Sequence, residues 1–355
     1  MTTVAPTPDI ASMRPDLIVP ALRDGAPAAG KRIRQQIPAY AGSDVHHVLY
    51  LPTDWQPGAP RRFPLLVEYA GNGDYRDDRG DVCTGVVEGS NLGYGISGGK
   101  GFIWLCLPFV DSQTGSNQKL WWGDIDAGIA YAREAIRSTC EEYHGDPNAV
   151  ILTGFSRGAI GCSFLGLHND AAADMWLAFV PYSHYDGVRS WPYPGSDRDA
   201  AAGRVRRLGG RASFVCDEAG TAATQEFLAS TGVQAPFTFL RTPFRNHNDA
   251  WTLRDTPERA ALRRWLAEVL ETRPGTHAIA GRVTDAAGRG VAGVRVESGP
   301  THFAVPDATG GYRLAGLIDS GRVVQPVKEG LAFTPARREV RVAGGDVTEV
   351  NFRTC

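Results

Sequence analysis

The chain has 355 residues, 43% hydrophobic and 21% charged, with a net charge of −2. That length accommodates one large and one small domain, and the near-neutral balance offers no basic field for nucleic acid or an anionic membrane surface. The longest apolar run, from Gly101 to Val110, falls well short of the ~18–20 residues of a membrane span.

In chain order, residues 1–30 are rich in Pro, Ala and Thr and read as a loose arm. They lack the basic-then-apolar pattern of a signal peptide, so the expected setting is the cytoplasm, or a chain whose leader has been removed. Strand-like segments follow at Lys31–Tyr40 and His46–Leu51, then at Phe63–Tyr69, which ends in Ala70-Gly71-Asn72-Gly73. The Gly- and Asp-rich stretch 74–100 has no periodicity and reads as loop. Phe102–Leu107 reads as a buried strand. The spacing of Ile125, Ile129, Ala132 and Ile136 predicts a helix over Asp124–Tyr143, with Asp124 as its cap.

Ala149-Val150-Ile151-Leu152 reads as a parallel strand, and Gly154-Phe155-Ser156-Arg157-Gly158 follows at once. A G-x-S-x-G turn between strand and helix is a nucleophile elbow. The serine's backbone is strained there, and a Cβ at Gly154 or Gly158 would strike a neighbouring strand or helix. Downstream, strands are expected at Met175–Val180, Ala212–Cys216 and Pro236–Leu240, and helices near Thr221–Ser230 and over Thr256–Thr272. Strands alternating with helices predict an α/β class with a doubly wound, mostly parallel sheet. After Arg273-Pro274-Gly275 short Val-rich strands alternate with Gly and Asp turns, so residues 277–355 read as a second, all-β domain behind a catalytic domain at 31–273.

A serine nucleophile needs a base, an acid that orients the base, and donors for the oxyanion. In this arrangement the chain order is Ser, then acid, then His. Of eight histidines, only His247 falls in a loop between the last strand and last helix of the α/β part. For the acid, Asp217 directly follows the strand Ala212–Cys216 and is favoured; Glu218 and Asp186 are the alternatives. The oxyanion donors are expected at the Arg157 backbone N–H and at Asn72 or Gly71. Aromatic residues Trp121, Trp122, Tyr185 and Trp191, with Tyr182 and Tyr193, fall in loops at the sheet's carboxyl edge and suit flat sugar or phenolic groups. Of six cysteines, Cys106, Cys162 and Cys216 read as buried small hydrophobes, Cys83, Cys140 and Cys355 could pair or stay free, and no C-x-x-C spacing suggests a metal. Neither a metal nor an organic cofactor is implied.

On these motifs residues ~31–272 resemble the α/β-hydrolase superfamily, nearer its feruloyl-esterase-like and polyester-depolymerase-like branches than its lipases. Ser156-Arg157 is also similar to the Ser-Arg of glucuronoyl esterases, although Gly158-Ala159-Ile160 lacks that family's lysine. In the tail, Gly281-Arg282-Val283-Thr284-Asp285, Val291-Ala292-Gly293-Val294 and Asp307-Ala308-Thr309-Gly310-Gly311-Tyr312 resemble the carboxypeptidase regulatory-like domain. That resemblance implies a transthyretin-like β-sandwich without catalytic residues, often attached to secreted or periplasmic enzymes. The function expected is hydrolysis of carboxylic esters that are carbohydrate-linked, phenolic or polymeric. A serine peptidase of the prolyl-oligopeptidase kind would need an acidic site for the substrate's N-terminus, with Glu68 as its candidate. A scaffold with a decayed triad is the third reading, since the position where esterases often carry the acid here holds Gly220.

Overall fold

The computed structural model describes residues 7–58, 61–272, 277–299, 302–317 and 320–355. The expected boundary at Arg273-Pro274-Gly275 lies outside the described residues. Eight strands form the main sheet: β1 (Arg32–Gln35), β2 (His47–Tyr50), β3 (Phe63–Tyr69), β4 (Ile103–Leu107), β5 (Gly145–Phe155), β6 (Ala178–Tyr182), β7 (Ala212–Asp217) and β8 (Phe237–Arg241). Their spatial order is β1-β2-β4-β3-β5-β6-β7-β8. Only β1–β2 and β2–β4 pair antiparallel; every other neighbour is parallel. The class is therefore mixed α/β with a mostly parallel sheet.

The central strands read as unbroken apolar runs because both faces are covered. In β5, Val150 and Leu152 join one core while Ile151 joins the other, as period-2 alternation requires. One face packs against α2 (Ile125–Glu142) and α3 (Arg157–Phe164), through Ile129, Ile136 and Ile160. The other packs against α1 (Leu92–Ser97) and α7 (Pro257–Thr272), through Leu92, Ile96, Leu262 and Leu266. Asp124 caps α2 by accepting from the Ala127 N–H. Further short helices lie at α4 (Asp170–Ala173), α5 (Arg198–Val205) and α6 (Ala222–Thr231).

Three expectations change. The stretch 74–100 is not all loop: a two-stranded ladder pairs Tyr75–Arg76 with Val82–Cys83, and α1 follows. The glycines hid that helix. A Cβ on Gly93 would meet the Trp104 ring at 2.1 Å and one on Gly95 the Thr252 hydroxyl at 2.1 Å, so glycine here permits close packing. Secondly, the described part of the arm is docked. Ile10 is 7% exposed, its N–H donates to Asn246 Oδ1 at 2.7 Å, and Asp16 takes a forked pair of 2.8 Å bonds from Arg259. Thirdly, the first strand is shorter than its alternating pattern, because Pro38 opens a 3₁₀ turn over Pro38–Tyr40.

The C-terminal part forms two four-stranded sheets around a third core. With β9 (His277–Thr284), β10 (Arg295–Ser298), β11 (His302–Ala304), β12 (Gly311–Leu317), β13 (Ser320–Val327), β14 (Phe333–Thr334), β15 (Arg338–Val342) and β16 (Phe352–Thr354), the orders are β12-β9-β16-β14 and β11-β10-β13-β15. Ile279, Leu314 and Phe352 from one sheet meet Val296, Val324 and Val342 from the other. This part contacts the α/β body through Arg322, whose guanidinium lies 3.2 Å from Asp174, and Arg295, 2.9 Å from Glu141. All six cysteines are free, and only Cys355 is exposed.

Candidate active site

Strand β5 runs into Ser156, which has φ 53° and ψ −110°, a conformation that residues with a Cβ rarely adopt. The flanking glycines make it possible. A Cβ on Gly154 would lie 2.3 Å from the Gly158 backbone, and one on Gly158 would lie 1.9 Å from Tyr69 O. The Ser156 N–H donates to Tyr182 O at 2.9 Å, fixing the elbow to β6. The hydroxyl thus stands at the carboxyl edge of the sheet, with the residue 9% exposed.

His247 approaches from the loop between β8 and α7. Its Nε2 lies 3.0 Å from Ser156 Oγ, and its Nδ1 lies 2.7 Å from Glu218 Oε1. The carboxylate at the imidazole is therefore Glu218 and not the favoured Asp217. The reason is strand alternation: neighbouring residues at the end of β7 point to opposite sides. Asp217 Oδ1 accepts from the Ala219 N–H at 2.7 Å, and the residue lines a neighbouring cavity of about 380 Å³. Asp186 is also away from His247. It is buried against Arg204, with Nε to Oδ2 at 2.7 Å. Gly220 lies farther along, and the carboxylate that meets the imidazole precedes it.

The histidine's loop is held from several sides. Asp81, 1% exposed, accepts from the His247 N–H at 3.0 Å and from the side-chain amides of Asn246 and Asn248 at 3.2 and 3.1 Å. Tyr182 donates its hydroxyl towards the carbonyls of Asn246 and Asn248, and the N-terminal arm supplies the Ile10 bond to Asn246. The imidazole ring packs against Tyr75 and Phe155, at centroid distances of 4.8 and 4.7 Å. Ser183 completes the group: its Oγ lies 2.9 Å from Glu218 Oε1 and 2.7 Å from His247 Nδ1. Ser183 is 1% exposed and has φ 81°, strain of about 1–3 kcal/mol that the surrounding bonds sustain. Asp74 and Trp121 also have positive φ and also line the Ser156 cleft, so backbone strain concentrates where the candidate chemistry lies.

That cleft has a volume of about 300 Å³ and is bounded by Asn72, Tyr75, Trp121, His184 and Trp191 around Ser156 and His247. Arg157 occupies the first position of α3, where a backbone N–H has no intrahelical acceptor. Its side chain is 1% exposed and clamps the cleft wall, donating to Trp121 O at 2.8 Å and Gly85 O at 3.2 Å. Burial pushes that guanidinium down to about 9. Asn72 turns its Oδ1 to the Trp121 N–H at 2.9 Å, tying the loop after β3 to the aromatic wall. Gly71 has no room for a side chain, since a Cβ would meet Cys83 Sγ at 2.6 Å.

The expected aromatic residues divide. Trp121 and Trp191 border the cleft. Trp122 is 4% exposed and stacks on Phe164 at 4.5 Å, so it is core. Tyr185 is likewise buried and faces the neighbouring cavity, away from Ser156. His184 stands in the cleft wall, stacked on Trp191 at 5.4 Å. Burial and the adjacent His247 lower its pKa to about 4, so it stays neutral at ordinary pH. Glu68 cannot receive a substrate amine. It is 0% exposed and accepts from the Leu92 N–H, the Gly93 N–H and the Trp104 indole at 3.1, 2.8 and 2.8 Å.

Asp217 leads to a pH-dependent prediction. Burial first, and the Glu218 charge next, push its carboxyl from 3.8 to about 7. A raised pKa means the fold disfavours the charged form, so stability is intact near pH 4 and is lost as pH rises through 7. Asp217→Asn is expected to match wild type in Tm near pH 4 and to exceed it above pH 7. Thermal melts across that range check it, and a Tm gap independent of pH would contradict it.

No protein-family model matches the chain, and no curated protein matches it. Among solved structures it is similar to a thermostable esterase, at 16% identity over 67% of this chain and 62% of that one, with a TM-score of 0.43. It thus spans less than two thirds of that esterase's length. It is also similar to a ferulic acid esterase (14% identity, 68% of this chain, 97% of that one, TM-score 0.43). A third similar structure is dipeptidyl peptidase 4 of Porphyromonas gingivalis (13% identity, 64% of this chain, 33% of that one, TM-score 0.40).

Proposed function

We propose that the protein is a serine hydrolase of α/β-hydrolase type that cleaves carboxylic esters through an acyl-enzyme. The observation that carries this reading is the unbroken contact from Ser156 Oγ through His247 to Glu218, at 3.0 and 2.7 Å. His247 Nε2 takes the Ser156 proton as Oγ bonds to the ester carbonyl carbon. The negative charge passes to the carbonyl oxygen, which is held by the backbone N–H groups of Arg157 and of Asn72 or Gly71. Collapse breaks the bond to the alcohol, which leaves with the proton from His247. Water then repeats the sequence, attacking the acyl carbon as His247 takes its proton and later returns it to Ser156. Glu218 accepts from Nδ1, keeps the proton there in the resting state and stabilises the imidazolium. Ser183 positions both groups by bonding each.

The cleft supports flat acyl or alcohol groups, phenolic or carbohydrate-linked, because Trp121 and Trp191 border it. Glu68 cannot serve a peptidase reading as the site for a substrate's N-terminus, because its oxygens are already engaged. Residues 277–355 fit an appended carboxypeptidase regulatory-like domain outside the chemistry, in line with a secreted or periplasmic enzyme. The test is a panel of p-nitrophenyl acyl esters, feruloyl sugars and methyl uronate esters, run beside matched amides. The reading expects ester turnover to exceed amide turnover by at least ~10²-fold, a difference of about 2.7 kcal/mol in barrier. Amide turnover as fast as ester turnover would overturn it.

A further inference from the structure

The opposite edge of the sheet carries a second concavity. Ser156, Ser183 and Glu218 follow β5, β6 and β7 at the carboxyl edge, whereas Asp174 and Arg211 precede β6 and β7. Around those two residues a groove of about 550 Å³ opens between the α/β body and the C-terminal sheets. Its walls hold four arginines, Arg206, Arg207, Arg211 and Arg341, against two aspartates, Asp170 and Asp174. Arg322 lies behind, with its side chain 2% exposed, sharing Asp174 Oδ1 with Arg211 at 3.2 and 3.1 Å.

Two of these guanidiniums are built into place. Arg211 is 1% exposed and donates to Trp176 O, Arg207 O and Leu208 O as well as to Asp174. Arg207 reaches Asp170 and Leu167 O, both at 3.2 Å. Arg206 and Arg341 have no ion-pair partner among the described residues, and they come from opposite walls of the groove, one from the α/β body and one from β15. Like charges lining one groove repel, and an anion bound between them relieves that repulsion. The walls also leave room for close approach: a Cβ on Gly210 or Gly321 would meet nothing within 4 Å.

We propose that this groove binds a multivalent anion bearing phosphate or carboxylate groups, which bridges the α/β body and the C-terminal sheets. Guanidinium forks match both chemistries in bidentate fashion. A monovalent ion could neutralise one wall but not span two. Because the site lies at the far edge from Ser156, the ligand clamps the two parts together without entering the candidate catalytic cleft. Binding to the folded form alone raises Tm in proportion to the logarithm of ligand concentration above Kd. The proposal does not depend on the esterase reading.

The experiment uses the full chain at constant ionic strength, with chloride as reference and tripolyphosphate, citrate and inorganic phosphate as probes. Calorimetry and thermal melts are expected to show saturable binding of tripolyphosphate or citrate, with a Tm rise of several degrees. The stronger of these two arms assigns the phosphate or carboxylate chemistry. Arg206→Gln with Arg341→Gln should weaken binding at least tenfold while leaving the unliganded Tm equal or higher, since both side chains are exposed and their repulsion is relieved. Equal Tm shifts from chloride, or undiminished binding by the double variant, would overturn the proposal. If the double variant fails to fold, Arg341→Gln alone, on the exposed face of β15, must still weaken binding measurably.

Discussion

Replacing Ser156 with alanine is expected to lower kcat on any accepted ester by roughly 10⁴–10⁶, the scale seen when a nucleophile is removed from a coupled triad. The fold should be almost untouched. Among the described residues the hydroxyl's hydrogen-bond partner is His247 Nε2, and that nitrogen faces the cleft, where water can replace the serine. Alanine retains a Cβ at φ 53°, so the backbone strain of the elbow stays the same. Tm should therefore move by no more than ~2 °C, since a change well under 1 kcal/mol shifts a domain of this size little. Glycine at the same position would release part of that strain and should raise Tm while being equally inactive. Steady-state kinetics and melts on the three proteins check this. Turnover by the alanine variant above a tenth of wild type would remove Ser156 from the chemistry.

Glu218→Gln is expected to lower kcat by ~10³–10⁴ with the structure intact, as when a triad carboxylate becomes an amide and the histidine takes the wrong tautomer. The 2.7 Å contact between Glu218 Oε1 and His247 Nδ1 places the whole effect on the imidazole. An amide NH₂ can turn towards Nδ1, which moves the imidazole proton to Nε2 and leaves no base for Ser156. Asp217→Asn should cost less than ~3-fold in kcat, because its carboxylate bonds to the Ala219 N–H instead. The pair separates two adjacent acids by kinetics alone. A large rate loss at Asp217 with little at Glu218 would reverse their roles.

The elbow was legible because it is a local event: strand, G-x-S-x-G and small-residue helix are contiguous, and the steric demand on Gly154 and Gly158 follows from the turn itself. His247 could be reached by chain order. The acid could not, because residues 217 and 218 differ only in which side of the strand's end they face. A boundary error of one residue exchanges them. Counting from the buried Val215 and the paired Asp217–Arg241 register would have set the side correctly, but that register exists only in three dimensions. Asp81 and Ser183 left no sequence signal. Asp81 lies in a stretch without periodicity, and Ser183 matters only because β6 ends beside β7. The docking of the arm was equally hidden, since one buried isoleucine and two paired aspartates, Asp9 and Asp16, in a Pro- and Ala-rich segment look like linker. Trp122 shows the reverse error: adjacent tryptophans on a turn point oppositely, one to the cleft and one to the core.

The central claim is that Ser156, activated by His247, is the nucleophile. Its most direct test is the intact mass of the native protein after brief exposure to a fluorophosphonate, followed by peptide mapping, with Ser156→Ala and His247→Ala treated in parallel. The account predicts a single adduct on the peptide containing Ser156, none on Ser156→Ala, and labelling slowed by at least ~10²-fold in His247→Ala, since general-base assistance contributes on that scale. An adduct elsewhere, or a wild-type protein left unlabelled, would contradict it.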